Sequence, residues 1–490
     1  MRTSYYIACD LGAESGRVML GKLAAGKLEL EEIHRFSNGA SRIDGTLRWN
    51  TLRIFEELKK GIRKIADRGI AARSVSVDSW GVDYVLTRPG EPELGLPYQY
   101  RDTRTDSAFE TALQKATPET IFEETGIQFM SFNTLYQFVA DLKDRPDLLG
   151  IADKAILIGD YFNYLFSGRA VADESLASTT QMYDPRKRQW SRKLIDIFGF
   201  KESLFPQIVP PGTILGPLLD NVAVETKATG VQVVATCSHD TGAAVAAVPA
   251  EGEDWAYLSS GTWSLIGVEL PAPLINDAVR QANFTNEAGY GGTTRFLKNI
   301  SGLWLLQECR RAWASEGNDF TYDDLTRQAL AAQPLRSVID PNDPRFVRPE
   351  QMPQKIQSLC AETGEPVPQT PGEIARCILE SLALTYRVVT ERLKLLTGRQ
   401  ITRLHIVGGG SQSTLLNQAA ADAMDCEVIA GPVEATAIGN LLVQALAMGD
   451  LPSLQALRKT VRDSFPVTTY KPNHDAKWEA ALSRFRSLGS

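Results

Sequence analysis

The chain is poor in the residues on which several large function classes depend. Only four histidines occur in 490 residues, His34, His239, His405 and His474, and none are paired at helical spacing, so a zinc enzyme built on clustered imidazoles is not expected. Six cysteines (Cys9, Cys237, Cys309, Cys360, Cys377 and Cys426) are scattered without a C-x-x-C pair, which removes the usual metal-ligand spacing. Reduced, buried thiols are the expectation. A disulfide stays open only for Cys360 and Cys377, which flank the Pro-containing stretch 364–372. No apolar run of about 18 residues is present, and Arg2 comes too early for a signal segment, so the expected location is the cytoplasm. Charge of one sign is lacking as well. The 52 Lys and Arg against 59 Asp and Glu leave −7, interspersed along the chain, without the basic footprint of a nucleic-acid binder or the charge blocks of an interaction tail. No exposed apolar stripe stands out, so monomer and homodimer both stay open.

What is present is a globular balance, 43% hydrophobic and 23% charged residues, in a chain long enough for two or three domains with cores of their own. Residues 5–9 read as a buried strand, residues 10–16 as a polar turn with glycines, and residues 17–20 as a second strand. Ile54, Leu58, Ile62, Ile65 and Ile70 recur at helical spacing. Residues 74–78 and 82–86 alternate like strands around Ser79-Trp80-Gly81. A β-branched strand at 231–235 precedes a small-residue helix at 242–248. In the second half, residues 256–258, the turn Ser259-Ser260-Gly261-Thr262 and residues 264–268 repeat the opening strand–turn–strand pattern. Strands at 294–297 and 403–407, the latter running into Gly408-Gly409-Gly410, accompany helices over 373–397 and 435–446. Strands alternating with helices give an α/β fold. The two copies of the opening pattern lie half a chain apart, too far for a solenoid repeat, and fit a duplicated domain. The boundary is placed near residue 250, giving domains 1–249 and 250–490.

Five segments carry residues suited to chemistry, each with a plainer alternative. In Asp10-Leu11-Gly12-Ala13-Glu14-Ser15-Gly16-Arg17 a tight turn aims backbone N–H groups at one point, which suits a phosphate. Asp10 could hold Mg²⁺ through water, an ion that favours one or two carboxylates with phosphate oxygens; taken alone, the segment reads more simply as an ordinary hairpin with an aspartate at its corner. Ser259–Thr262 has the same design without the acid. Gly408-Gly409-Gly410 leaves bare backbone where a purine or ribose can lie, or where elements merely approach closely. Asp240, in Ser238-His239-Asp240-Thr241-Gly242, is a carboxylate able to orient a hydroxyl and take its proton, or a helix N-cap. Trp80, Gly81 and Asp83 form an aromatic, polar corner suited to a sugar, or a buried tryptophan beside a turn. Asn299 and Gln307, near and within a helix-like stretch at 302–309, read simply as polar helix residues.

In their order along the chain, Asp10-Leu11-Gly12, Ser79-Trp80-Gly81-Val82-Asp83, His239-Asp240-Thr241, Ser260-Gly261-Thr262 and Gly408-Gly409-Gly410 resemble the FGGY carbohydrate kinases of the actin-like ATPase superfamily. Gly126-Ile127-Gln128-Phe129, Phe132–Gln137, Leu258–Leu265, Leu297-Lys298-Asn299-Ile300, Gly302–Gln307 and His405–Gly410 are similar to the branch that phosphorylates L-rhamnulose. The resemblance implies two RNase H-like domains with ATP and sugar in the cleft between them, and transfer to the sugar's 1-hydroxyl. It implies Asp240 as catalytic base; Gly81, Trp80, Asp83, His239, Asp240, Thr241 and Asn299 around the sugar; Ala13, Glu14, Ser15, Gly16, Arg17, Thr262, Gln307 and Gly409 on ATP; and Asp10 organising Mg²⁺. Tyr100-Arg101-Asp102-Thr103-Arg104 keeps the Asp and Arg of the family's Trp-x-Asp-x-Arg element but has tyrosine for tryptophan. Gly159-Asp160-Tyr161 stands where many members have Lys-Asp-Tyr. The rival readings are a kinase for L-fuculose or L-xylulose, and an actin-like ATP-binding module with no acceptor.

Overall fold

A computed structural model describes residues 3–488, which divide into two compact units. The first takes the chain up to Pro249 together with Glu269–Phe296 and Ala435–Ser464; the second takes Ala250–Val268, Leu297–Glu434 and the chain from Phe465 onward.

In the first unit, Ser4–Leu11, Ser15–Ala24 and Lys27–Ser37 form an antiparallel meander. Ser74–Ser79 lies parallel to the first strand, Gln232–Ala235 parallel to it in turn, and Thr213–Pro217 closes the edge antiparallel. The isoleucine spacing does make a helix, Thr51–Asp67, which ends short of Ile70 and is capped by Asn50, whose side chain accepts from the Arg53 N–H at 3.1 Å. Ile54, Leu58, Ile62 and Ile65 are all buried in the core with Ile7, Cys9 and Leu11, and burying four such side chains contributes on the order of 1.5–3 kcal/mol each. The helix Ala435–Ala447 also belongs here. Gly439 lets its backbone meet the carbonyl of Ala243, and Gln444 joins Ile7 O to the Ser74 hydroxyl.

The second unit repeats the strand order. Trp255–Ser260 and Trp263–Leu270 are an antiparallel pair. Arg403–Val407 lies parallel to the former, Glu427–Ala430 parallel to that, and Thr468–Tyr470 closes the edge antiparallel. The strand Thr294–Ser301 takes the place that Lys27–Ser37 has in the first sheet. The long helix is Pro371–Thr397, opened by a Thr370–Glu373 capping box.

Two local expectations change. Asn299 lies in the strand Thr294–Ser301, and the helix that follows runs Trp304–Ser315, so Asn299 is a strand residue and Gln307 a helical one. The strand Lys27–Ser37 has no counterpart in the sequence reading. Glu29, Glu31, Glu32 and Arg35 make it charged along its length, as an edge strand that must discourage further pairing tends to be. Among the described residues no helix is long and apolar enough to cross a membrane.

Candidate functional site

The turn after the first strand is built largely from its own backbone. Gly12 N–H donates to Ser15 O at 2.9 Å, and Asn38 clamps the turn from outside, donating to Gly12 O and Glu14 O. Ala13 and Glu14 form the turn, while Ser15, Gly16 and Arg17 already belong to the second strand. Gly16 is bare because Phe36 and Leu11 occupy the space of a Cβ. Arg17 lies opposite Asp10 in the register and donates to its Oδ2 at 2.5 Å.

Asp10 also lies opposite Asp78 on the parallel neighbour. Asp78 is fully buried, takes a 2.5 Å hydrogen bond from Asn440 on Oδ2, and has no hydrogen-bond partner on Oδ1. Burial, then the charge of Asp10, pushes the Asp78 carboxyl well above its usual range, against the Asn440 hydrogen bond; Asp240 adds to the rise. Three carboxylates thus face one another electrostatically. Among the described residues no three His, Cys, Asp or Glu side chains are close enough to hold a metal by themselves. Magnesium does not require such a cage, since it keeps waters and takes one or two carboxylates plus phosphate oxygens. Asp10, paired on Oδ2 with Arg17 and lying opposite Asp78, whose buried Oδ1 has no hydrogen-bond partner, has the chemistry for that role.

Asp240 is the first residue of the helix Asp240–Ala246, whose cap is His239, so it is not the N-cap. Its Oδ1 takes the Thr241 N–H at 2.5 Å and the Thr241 hydroxyl at 3.1 Å. The side chain keeps 32% of its surface, and His239 Nε2 stands 3.4 Å away. Burial raises its pKa above the ordinary carboxylate value; His239 opposes the rise and the charge of Asp10 adds to it. An accessible carboxylate with a raised pKa, at a helix start and beside an imidazole, is suited to accept a proton from a hydroxyl.

The aromatic corner differs from the expectation for Asp83. That side chain is fully buried. Its Oδ2 accepts from Trp49 Nε1 at 2.7 Å, Trp80 Nε1 at 2.9 Å and Tyr100 N at 3.2 Å, and its Oδ1 accepts from Gln137 Nε2 at 2.9 Å. Burial pushes its pKa up to about 6 against those donors. Buried, with both carboxylate oxygens hydrogen-bonded from within, Asp83 turns inward and fixes the Trp49–Trp80 pair, whose rings are tilted at 35° with centroids 4.2 Å apart. Trp80 itself is 6% exposed. Next to it Val82 adopts φ +68°, a costly backbone state for a β-branched residue. Thr179 Oγ1 takes its N–H, while Thr134 and Gln137 donate to its carbonyl, which holds the corner in place. Gly81 sits over Thr179, where a Cβ would come within 3.0 Å of the hydroxyl.

In the second unit Thr262 Oγ1 donates to Gln307 Oε1 at 3.2 Å, so these two expected ATP contacts meet. Gly302 brings the start of the helix Trp304–Ser315 against the turn, with Leu303 N–H donating to Gly261 O at 2.9 Å. A Cβ on Gly302 would lie 2.6 Å from that same oxygen. Gly408, at φ +84°, and Gly410 both close on Ser260, whereas Gly409 has open space where its Cβ would be. The glycine run is therefore close packing at its two ends and open backbone in the middle.

The sequence reading gave no supporting role to two groups that lie behind His239 and Asp240. One starts at Gly159-Asp160, in the first turn of the helix Ile158–Ser167. Gly159 lets that turn approach Ser238 O, which a Cβ would meet at 3.1 Å. Asp160 Oδ2 accepts the Asp173 N–H at 2.8 Å. Asp173 Oδ1 accepts the Ser238 N–H at 3.0 Å and the Ser175 hydroxyl, and Ser175 Oγ accepts the His239 N–H at 3.0 Å. Burial pushes Asp173 up to about 7, and burial together with Asp173 pushes Asp160 well up. The other support is Arg295 with Glu287, 3.1 Å apart, both lying against His239 Nδ1. A charged residue next to Phe296 and Leu297 was the one signal for it in the sequence.

Two family models match: the FGGY family of carbohydrate kinases, N-terminal domain, over residues 5–247, and its C-terminal domain over residues 256–448. Curated relatives named rhamnulokinase are 41% identical in Bacteroides thetaiotaomicron, over 98% of this chain and 99% of theirs, and 43% identical in Enterococcus faecalis, over 96% and 94%. A gluconate kinase and a ligand-bound xylulose kinase, both from Lactobacillus acidophilus, superpose with TM-scores of 0.81 at 16% and 15% identity over 99% of this chain and 98% and 97% of theirs. At that identity they speak for the fold alone.

Proposed function

The chain belongs to the FGGY family of carbohydrate kinases, and from that premise we propose that it moves the γ-phosphate of ATP onto the 1-hydroxyl of L-rhamnulose, giving L-rhamnulose 1-phosphate and ADP. The sugar rests on the rhamnulokinase relatives, which match at 41–43% identity over nearly the whole chain; an L-fuculose or L-xylulose kinase, or a module without an acceptor, is not favoured. The observation that carries the chemistry is Asp240, which keeps a third of its surface open while burial raises its pKa.

Asp240 orients the acceptor hydroxyl and takes its proton as the sugar oxygen bonds to the γ-phosphorus and the bond to the departing ADP oxygen breaks. Such a transition state is loose and asks for little base strength, so positioning and charge neutralisation supply most of the rate. His239 and Thr241 hold the Asp240 carboxylate, and His239, Thr241, Gly81 and Asn299 contact the sugar, with Trp80 backing the wall. Residues 13–17 of the first turn, and Thr262, Gln307 and Gly409 of the second unit, grip the nucleotide. Asp10 would hold Mg²⁺ with Asp78 beside it; when bound, the ion neutralises charge on the β- and γ-phosphates. The cytoplasm is the proposed setting, consistent with six free, buried cysteines.

The test is coupled ADP release with Mg·ATP across a panel of ketoses. Fast release with L-rhamnulose and slow release without sugar supports the reading. Fast release with another ketose moves the sugar assignment, and release independent of every sugar overturns transfer.

A further inference from the structure

We propose that the buried Arg295–Glu287 pair is a positioning device that fixes His239 in the tautomer carrying its proton on Nε2, aimed at Asp240; the role in turnover rests on the kinase reading above. His239 lies between two charged groups. On one side Arg295, with no exposed surface, places Nη2 3.1 Å from His239 Nδ1. On the other side His239 Nε2 is 3.4 Å from Asp240 Oδ1. A guanidinium has only donors and never accepts a hydrogen bond. The ring nitrogen that faces it must therefore offer a lone pair, and in the neutral imidazole the other nitrogen then bears the hydrogen. That nitrogen is the one facing the carboxylate.

Arg295 is itself pinned. Its Nε donates to Ala288 O at 3.0 Å and its Nη1 pairs with Glu287 Oε2 at 3.1 Å. Glu287 Oε2 also lies 3.4 Å from His239 Nδ1, without making a hydrogen bond there. Alone, that carboxylate would favour a proton on Nδ1 and the opposite tautomer, with a bare Nε2 turned toward the Asp240 carboxylate. Arg295 both neutralises Glu287 and claims Nδ1. The outcome is an N–H on the nitrogen that stands 3.4 Å from Oδ1 of the residue that takes the sugar's proton. His239 thereby steers that carboxylate. Neither Arg295 nor Glu287 needs to touch sugar, nucleotide or phosphate for this.

The pair can be removed without leaving an orphaned charge, which a single truncation of a buried ion pair would do at a large cost in stability. The double variant Arg295→Met/Glu287→Gln removes both charges. The single variant Arg295→Lys keeps the ion pair with one compact donor. Long-range ¹H–¹⁵N correlation spectra of protein labelled on its four histidines report the tautomer directly, with no substrate present. The wild type is expected to show His239 protonated on Nε2 and bare on Nδ1. The double variant is expected to show a mixture or the Nδ1–H form, and Arg295→Lys to recover part of the wild-type signal. With Mg·ATP and L-rhamnulose, the double variant should lose roughly tenfold in kcat, a loss of about 1.4 kcal/mol at the transition state, with the KM for ATP unchanged. A thermal melt and circular dichroism on each variant confirm the fold. An Nδ1–H tautomer in the wild type, or an unaltered tautomer in a folded double variant, overturns the proposal. So does a shifted tautomer with wild-type kcat. A wild type that transfers no phosphate to any ketose, yet shows the Nε2–H form, would fail the kinase reading and leave the tautomer assignment standing.

Discussion

The two sheets share the order of six strands, the second adding Thr285–Ala288 beyond Thr294–Ser301, and they differ in what stands at the ends of Ser4–Leu11 and Ser74–Ser79 and of their counterparts Trp255–Ser260 and Arg403–Val407. In the first unit those ends carry Asp10 and, beside it in the parallel register, Asp78-Ser79. In the second unit the corresponding ends carry Ser259-Ser260 and Val407-Gly408. One duplicated scaffold thus supplies an acidic edge and an uncharged edge of hydroxyls and bare backbone. The acidic edge is electrostatically loaded: burial and mutual repulsion hold Asp78 and Asp240 above their usual range. The neutral edge has no charge to relieve; it has close backbone packing, at Gly302, Gly408 and Gly410, that shapes a turn. Proton transfer and cation binding suit the first, and a grip on a polyanion through N–H and O–H donors suits the second.

The comparison breaks most sharply at Asp240. Asp240→Asn keeps the size and the Thr241 hydrogen bonds but cannot take a proton, and it should cost at least ~10²-fold in kcat, the low end for a general base. Steady-state ADP release measures this, and a near-wild-type rate would show that the acidic edge does no proton work. Next in size is the steric prediction for the neutral edge. Gly302→Ala puts a methyl 2.6 Å from Gly261 O and from the Trp263 carbonyl carbon, and such overpacking costs about 1–3 kcal/mol. A lower melting temperature and a higher KM for ATP should follow together. Gly409→Ala enters open space and should leave the melting temperature alone, so any rise in its KM for ATP would come from the ligand side. Equal destabilisation by both substitutions would contradict the division of the glycine run. Smaller again is Thr262→Ala, which removes the partner of Gln307. A few-fold rise in the KM for ATP, about 1 kcal/mol for one lost hydrogen bond, should exceed any rise in the KM for the sugar; the reverse order would take the second turn off the phosphate.

Much of this contrast was legible in the sequence because turns announce themselves. Asp10–Arg17 and Ser259–Thr262 combine glycines, hydroxyls and flanking strands in one pattern twice, and Arg403–Val407 ends where its glycines begin. Side-chain direction was not legible. Nothing in Asp78-Ser79-Trp80-Gly81-Val82-Asp83 tells whether Asp83 faces a ligand or, as found, Trp49, Trp80, Tyr100 and Gln137, because three of those four donors lie at least 17 residues away. Asn299 was assigned no strand because Leu297-Lys298-Asn299-Ile300 lacks clean alternation, and pairing within the sheet decides it. The strand Lys27–Ser37 was hidden by the charges that make it a safe edge. Arg295 and Glu287 sit on separate strands of an otherwise ordinary stretch, and only the fold brings them to one imidazole.

The acidic edge extends behind the catalytic segment, and there the expected effect is on stability rather than rate. Asp173 holds Ser238 N–H and, through Ser175, His239 N–H. Its pKa is about 7, raised by burial against those hydrogen bonds, whereas an unfolded aspartate titrates near 3.9. The folded state therefore binds more protons between those values. The stability this group contributes is fully present below about pH 4 and is lost as pH rises through about 7. Asp173→Asn removes the titration, while its side-chain oxygen still accepts from Ser238 and Ser175. The melting temperature of the variant relative to the wild type should accordingly be more favourable at pH 8 than at pH 5, with kcat changed by no more than about 2- to 3-fold because the segment keeps its hydrogen bonds. A pH-independent difference between the two proteins would mean that Asp173 is ionised throughout. A difference of the opposite sign would mean that its charge is held by a partner rather than opposed by burial, and that the acidic character of this unit ends at Asp10, Asp78 and Asp240.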